Sequence, residues 1–272
     1  MRSAPISRRA ALGQLGVLLS AGLWPGALRA AGQAGPDVGM VRFAVVNDFH
    51  HDSSECDPWF EKLFRSVAAQ GELAFVAGLG DLANAGKPES IAAIKRLAAA
   101  VPAPFYTVPG NHDNDLEKST RIYASVLPGR LNYTWGDAGW QFVALDTTDG
   151  NKWGDTQVGA ATFAWMKSEL PKLDPKRPTV VLTHFPLGAG VKMRPLNAEA
   201  VLAQFLEFNL RGVFSGHFHG RTQVPFRGVE CVTNACCARV RNNHDGTKTK
   251  GYFVVTGSRE GVLNRTFVEF AG

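Results

Sequence analysis

Polar residues in this chain do not fall at random: they cluster at the ends of short apolar runs, and that regularity restricts the fold more than any other property of the sequence. The runs Val41–Asn47, Leu73–Gly78, Phe105–Val108, Trp140–Leu145, Thr179–Thr183 and Gly212–Ser215 are short and apolar almost throughout, so they read as strands. Between them lie stretches with helical spacing. Pro58–Gln70 places Trp59, Leu63, Phe64 and Val67 on one face, and Pro88–Ala100 does the same with Ile91, Ile94 and Leu97; Ala160–Leu170 and Ala198–Phe208 are also read as helices. After Thr222 the pattern changes to short β segments separated by glycine turns: Thr222–Phe226, Val229–Val232, Gly251–Thr256 and Leu263–Phe270. The alternation predicts an α/β fold whose C-terminal part is β-rich, with antiparallel strands added to it.

The breaks carry the chemistry. Asp48-Phe49-His50 follows the first strand, Gly80-Asp81-Leu82-Ala83-Asn84 the second and Gly110-Asn111-His112-Asp113 the third. His184 follows Val180–Thr183, and Gly216-His217-Phe218-His219 follows Val213–Ser215. Open α/β sheets bind ligands at the carboxyl ends of their strands, and five of the seven histidines lie in these segments. A lone histidine is most often a satisfied core residue, but five beside Asp, Asn and Gly at strand ends point to metal ligation. In Asp48-x-His50 and His217-x-His219 the i, i+2 spacing sends both side chains the same way if the backbone stays extended. Gly80, Gly110 and Gly216 allow tight turns and keep side-chain bulk away.

The ordered set D-x-H, G-D-x-x-N, G-N-H-D, H and G-H-x-H, running from Asp48 to His219, resembles the calcineurin-like metallophosphoesterase family. The resemblance implies a four-layer α/β/β/α sandwich with two divalent or trivalent metal ions, drawn from Mn, Fe, Zn or Ni. It implies that Asp48, His50 and His219 bind one ion, that Asn111, His184 and His217 bind the other, and that Asp81 bridges them. His112 would face the substrate and assist the departure of the leaving oxygen after attack by a metal-bridged hydroxide. Asn84 stands where purple acid phosphatases carry Tyr and where protein Ser/Thr phosphatases carry the second Asp of G-D-x-x-D-R, so neither subgroup is expected. Gly80–Gly86 is more similar to the bacterial class III cyclic-nucleotide phosphodiesterases.

Around this set, Asp113 is expected to order the loop after His112. Asn84 and His51 are candidates for contact with ligands or substrate, His51 reading more readily as a solvent-facing loop histidine. Asp146 either supports the site from behind or forms a turn, and His244 reads as solvated loop. Trp153 and Tyr133 either stack on a substrate ring or pack. Cys56, Cys231, Cys236 and Cys237 are either buried thiols or include one disulfide.

Ser7-Arg8-Arg9-Ala10-Ala11-Leu12, the apolar stretch to Leu23 and the small residues at Ala30-Ala31 resemble a twin-arginine export signal over residues 1–30. Residues 31–40 then form a short lead-in, and 41–272 a single domain with a periplasmic or otherwise exported address. The leader also holds Arg2, Arg8, Arg9 and Arg29 and no acid, so it accounts for most of the net charge of +5 over the 272 residues; the remainder has 25 basic against 24 acidic side chains. That balance gives no signal for a nucleic-acid partner, which usually needs a basic groove. An apolar content of 45% excludes disorder as the main state, and the body has no uninterrupted run long enough to span a bilayer. The expected partner is a small phosphoester, monoester or diester, cyclic nucleotides included; the alternatives are a nuclease of the same fold and a non-catalytic metal-binding module.

Overall fold

A computed structural model describes residues 38–272, so the expected leader and most of the lead-in lie outside the described residues. Two sheets face each other. The first is built from β1 (Val41–Val46), β2 (Phe75–Leu79), β3 (Phe105–Val108), β10 (Gly251–Gly257) and β11 (Leu263–Glu269), in the spatial order β11-β10-β1-β2-β3. The second holds β4 (Tyr133–Asp137), β5 (Trp140–Leu145), β6 (Thr179–Thr183), β7 (Leu210–Ser215), β8 (Thr222–Phe226) and β9 (Val229–Thr233), ordered β4-β5-β6-β7-β9-β8. Helices α1 (Asp57–Ala68), α2 (Pro88–Ala98) and α3 (Arg121–Val126) pack on the first sheet, and α4 (Ala160–Glu169) and α5 (Ala198–Ala203) on the second. This is the expected α/β/β/α sandwich. Among the described residues no helix is long and apolar enough to cross a membrane.

Period-two alternation sorts each strand between two cores. Val41, Phe43 and Val45 of β1 point into the space between the sheets, while Ala44 and Val46 pack beneath the helices. The inter-sheet layer is aromatic: Phe43 stacks on Phe75 at 4.7 Å and meets Phe142 edge-on at 5.5 Å and Phe214 at 6.2 Å. Because both faces of β1, β2, β5, β6 and β7 are covered, these strands carry almost no polar face, which is why they read as continuous apolar runs, whereas the outer β8 and β11 alternate between half-buried and exposed residues.

The C-terminal strands divide between the sheets. β10 pairs antiparallel with β1 and β11 with β10, whereas β9 runs parallel to β7 and antiparallel to β8. Two elements have no counterpart in the sequence reading. β4 is a half-buried edge strand interrupted by Gly136, paired with β5 through the Asp137–Trp140 hairpin, and α3 has only six residues. The helix expected over Ala198–Phe208 stops at Ala203. All four cysteines are buried and free, which selects the thiol alternative over the disulfide.

Since β1, β2 and β3 are mutually parallel, as are β5, β6 and β7, their carboxyl ends align along one edge of each sheet, where the polar breaks collect. Removing the ring at the centre of the inter-sheet layer tests how far this frame depends on it. Phe43→Ala is expected to destabilise the protein by about 3–5 kcal/mol, the range for deleting a buried aromatic side chain, as read from the midpoint of a urea melt.

Candidate metal centre

The loops after β1 and β2 continue as a pair beyond the strands. Asp48 N donates to Gly80 O at 3.1 Å, His50 N to Asp81 O at 2.8 Å and His51 N to Leu82 O at 3.0 Å. The backbone in these loops is not extended, contrary to the i, i+2 reading. Asp48, His50, Asp81, His217 and His219 all occupy the left-handed region, with φ of 53°, 48°, 50°, 63° and 46°. Each such non-glycine residue costs about 1–3 kcal/mol and persists only where its surroundings over-determine it. The physical reason is convergence: an extended strand end would send its side chains outward in parallel, whereas these must meet at one place between the sheets.

Two glycines make the convergence possible by close approach. A Cβ on Gly110 would lie 2.1 Å from Asp81 Oδ1, and one on Gly216 would lie 2.8 Å from Asp48 Oδ2.

Ligand-capable atoms gather into two groups, Asp48 with His50, Asp81 and His219, and Asp81 with His184 and His217, all buried. Asp81 belongs to both. In the first group His50 Nε2 is 3.1 Å from His219 Nε2 and 3.4 Å from Asp81 Oδ2, and His219 Nε2 is 3.2 Å from Asp48 Oδ1. In the second, His184 Nε2 lies 3.4 Å from Asp81 Oδ1 and 3.3 Å from the side-chain oxygen of Asn111. Backbone carbonyls fix the rings from behind: His184 Nδ1 donates to Leu79 O at 2.8 Å, His219 Nδ1 to Asn242 O at 3.1 Å and His217 Nε2 to Trp153 O at 2.8 Å. A ring whose far nitrogen carries the proton presents the near one as a lone pair, the form in which histidine ligates a metal.

The electrostatics agree with a cation site. Burial opposes charge on Asp48 and Asp81, yet the surrounding imidazoles hold both carboxyl groups below the usual carboxylate range, His219 foremost for Asp48 and His184 for Asp81. Burial pushes His50 down to about 3 and His217 down to about 4, which keeps both neutral. His219 is also opposed by burial, but the adjoining Asp48 carboxylate raises it to about 11. A cation bound there would take the place of a proton on His219 Nε2, leaving that nitrogen as a lone-pair donor beside Asp48. Carboxylate, imidazole and amide oxygen form a donor set that fits first-row divalent ions.

His112 stands at the margin, half-buried, its ring edge-on to His50 at 4.7 Å. Its backbone N donates to Asp81 Oδ1 at 2.8 Å, and its Nδ1 donates to the main-chain oxygen of Asn84 at 2.7 Å. The side-chain oxygen of Asn84 accepts from Arg241. Asp113 is fully buried and accepts from Ala83 N at 2.8 Å and Gly110 N at 2.9 Å, tying the second and third loops together; burial and the nearby Asp81 push it up to about 7.

His51 is not solvent-facing. It is buried, with Nε2 2.8 Å from Asp57 Oδ1, because its loop pairs with the next and turns the ring under the start of α1. Asp146 is a turn former, accepting from Thr148 N and Oγ1 at 2.9 and 2.8 Å. Tyr133 packs, stacked on Trp135 with its hydroxyl on Thr107 O. The Trp153 ring is exposed while its carbonyl serves His217.

His244 is exposed, as read, but it is part of the site's wall: its ring stacks on His219 at 4.9 Å and its N donates to His219 O. His244 and Arg241 are the residues the sequence reading missed. They lie in no motif, and the signal available was only a polar turn close to the chain's last strands.

Residues 41–221 match the family described as calcineurin-like phosphoesterase. The chain is 27% identical over 167 residues to the glycerophosphodiester phosphodiesterase GpdQ of Enterobacter lignolyticus, covering 57% of this chain and 59% of that protein. It is 28% identical over 156 residues to a 3',5'-cyclic-nucleotide phosphodiesterase of Nostoc sp., covering 54% of this chain and 57% of that protein. The similarity therefore spans less than three fifths of each of these curated relatives. Among solved structures, GAP50, the anchor in the inner membrane complex of Plasmodium, is similar with a TM-score of 0.59 at 16% identity, over 85% of each chain. TT1561 of Thermus thermophilus gives 0.55 at 14% identity, over 84% of this chain and all but 1% of its own. At those identities the structures speak for the fold alone.

Gly110→Ala tests the close approach of the third loop to Asp81. The added Cβ must displace the Asp81 carboxylate, so bound metal per chain, measured by elemental analysis after reloading, is expected to fall while the far-ultraviolet circular dichroism is kept. Gly159→Ala, where a Cβ meets nothing within 4 Å, is expected to leave metal content unchanged.

Proposed function

The chain belongs to the calcineurin-like phosphoesterase family, and from that premise we propose that it is a metal-dependent phosphoester hydrolase with a dinuclear centre and a preference for small phosphodiesters. The observation that carries this reading is Asp81, buried and shared between two groups of ligand-capable atoms with the half-buried His112 beside them. Asp48, His50, Asp81 and His219 would hold one ion, and Asp81, Asn111, His184 and His217 the other. Bound there, the ions would supply positive charge to polarise phosphoryl oxygens and to make a water nucleophilic at neutral pH.

The remaining steps fall to the chain's own residues. His112, with Nδ1–H bonded to Asn84 O, turns Nε2 to the site as its working atom; with both nitrogens protonated, the imidazolium can give its Nε2 proton to the leaving oxygen or donate it to a phosphoryl oxygen, and Nδ1–H stays on Asn84 O throughout. Asp113 holds the His112 loop against the Asp81 loop by accepting from both. His184, His217 and His219 are locked by backbone carbonyls, so no reorientation accompanies the reaction.

Diesters are favoured because the two curated relatives are named as a glycerophosphodiesterase and a cyclic-nucleotide phosphodiesterase. Cyclic nucleotides and glycerophosphodiesters are therefore the first substrates to try. The even charge of residues 31–272 gives no support to a nuclease, and a full set of seven ligand side chains argues against a non-catalytic module.

Hydrolysis of bis-p-nitrophenyl phosphate against p-nitrophenyl phosphate, on protein reloaded with manganese, tests the diester preference; faster monoester cleavage would overturn it. His112→Ala is expected to keep bound metal and lose turnover by about 10²–10⁴-fold, the usual worth of a positioned acid or base. Unchanged turnover at saturating substrate would remove His112 from the chemistry. We further propose export through the twin-arginine route, supported by Arg8-Arg9 and the apolar stretch after them. Replacing both arginines by lysine is expected to retain the protein in the cytoplasm on cell fractionation, and undiminished export would sink the proposal.

A further inference from the structure

The segment matched to the family ends at residue 221, yet part of the site's wall comes from beyond it. Residues 241–244, in the connection between β9 and β10, are each pinned. The Arg241 carbonyl accepts from Lys250 Nζ, and Asn242 O accepts from His219 Nδ1 at 3.1 Å. Asn243 Oδ1 accepts from Cys236 N at 3.2 Å while its Nδ2 donates to Thr249 O at 2.6 Å. His244 N donates to His219 O at 3.2 Å. A segment held at four successive residues, three through the backbone and Asn243 through its side chain, fixes where the Arg241 side chain begins, and its guanidinium ends on the side-chain oxygen of Asn84. The link joins residues 157 positions apart.

Asn84 is the acceptor for His112 Nδ1, and it uses its main-chain oxygen to do so. That carbonyl belongs to the peptide between Asn84 and the exposed Ala85, followed by Gly86 at φ +60°. Buried Gly86 ties the loop to His112 by donating its N to His112 O at 2.7 Å, but exposed Ala85 between them gives the Asn84 peptide no packing of its own. On one side Asn84 N is held by His51 O at 2.9 Å; on the side chain it is held by Arg241. A charge-assisted bond to the side chain therefore steadies the carbonyl that sets the orientation of the His112 ring.

We propose that Arg241 is a positioning residue for His112: by clamping Asn84 it keeps the Asn84 carbonyl on His112 Nδ1, so that Nε2 is the nitrogen turned to the substrate. The inference rests on the phosphoesterase reading for what His112 does, but not for how the ring is held. The C-terminal segment, outside the matched region, thereby sets the efficiency of a residue within it.

Arg241→Ala, Arg241→Lys, Asn84→Ala and the double alanine variant test this on the full chain, reloaded with zinc so that the site stays diamagnetic. Long-range nitrogen–proton spectra of the histidine rings in the neutral form are expected to show His112 with its single proton on Nδ1 in the parent, so that the second proton, taken up in the imidazolium that serves as the acid, sits on Nε2 facing the substrate. In Arg241→Ala and Asn84→Ala they are expected to show a mixture of both nitrogens, with partial restoration in Arg241→Lys. The same proteins assayed on bis-p-nitrophenyl phosphate and on diphenyl phosphate should separate the roles, since the more basic phenolate depends more on a donated proton. The expected result is a kcat lowered about tenfold or more on diphenyl phosphate, a smaller loss on the nitrophenyl ester, unchanged KM and unchanged metal content. The double variant should lose no more than either single one, because both remove the same link.

An unaltered His112 spectrum in Arg241→Ala overturns the proposal. So does a raised KM with kcat kept, which would make Arg241 a substrate-binding residue, and so does loss of zinc, which would make the segment a clamp on His219. Should the parent cleave neither these diesters nor p-nitrophenyl phosphate, the hydrolase reading fails, while the ring spectra still decide whether Arg241 positions His112.

Discussion

Two carboxylates, Asp48 and Asp81, sit in the interior with no lysine or arginine among the described residues as ion-pair partner, and the local structure follows from the need to compensate them. Buried charge is costly unless paired and hydrogen-bonded. Here the pairs are imidazoles, His219 and His184 on Asp48 and His50 and His184 on Asp81. The Asp48 carboxylate also accepts from His217 N at 3.0 Å, and that of Asp81 from His112 N at 2.8 Å. Five left-handed residues and two close-packed glycines are the backbone's response to placing so many acceptors together. Strain of that kind is tolerated where the surrounding sandwich is rigid, and the aromatic layer between the sheets provides the rigidity.

The site has two layers of control. Strand ends place the donors, and backbone carbonyls from elsewhere in the chain set which ring nitrogen faces inward. Leu79 O serves His184, Trp153 O serves His217, Asn242 O serves His219 and Asn84 O serves His112. Leu79, Trp153 and Asn242 serve through main-chain oxygens, whereas Asn84 also engages Arg241 through its side chain. Substitutions far from the motifs can therefore change ligand orientation without touching a ligand.

Much of the fold was legible because burial on both faces leaves a strong mark. β5 and β6, buried throughout, fall at the expected residues, and so do the less buried β3 and β8, whose flanking prolines, glycines and polar breaks are sharp. β4 was not legible: as an edge strand it is half-buried, contains Gly136 and Asp137, and gains its stability from pairing with β5 and from stacking of Tyr133, Trp135 and Tyr106. α3 was too short to show a period. His51 was misjudged because a histidine next to a ligand has no sequence mark for which way its ring turns, and only the pairing of the two loops buries it against Asp57. The expectation of extended backbone at the two i, i+2 pairs failed for a related reason: spacing describes one strand, whereas convergence is a demand made by several.

What the sequence alone determined is the chemistry available and its rough address: which residues offer ligand atoms, that they follow strands, and that the strands are buried in a layered α/β frame. Those facts are local, written in residue type and short-range period. What only the tertiary structure decided is how the donors are shared and aimed. That includes Asp81 common to both groups, His112 held by Asn84, and Arg241 and His244 brought to the wall from near the chain's end. These are contacts between residues far apart in sequence, with Asn84 and Arg241 157 positions apart. No period or motif encodes them; they exist because two sheets, packed face to face, bring the ends of many strands to a single edge.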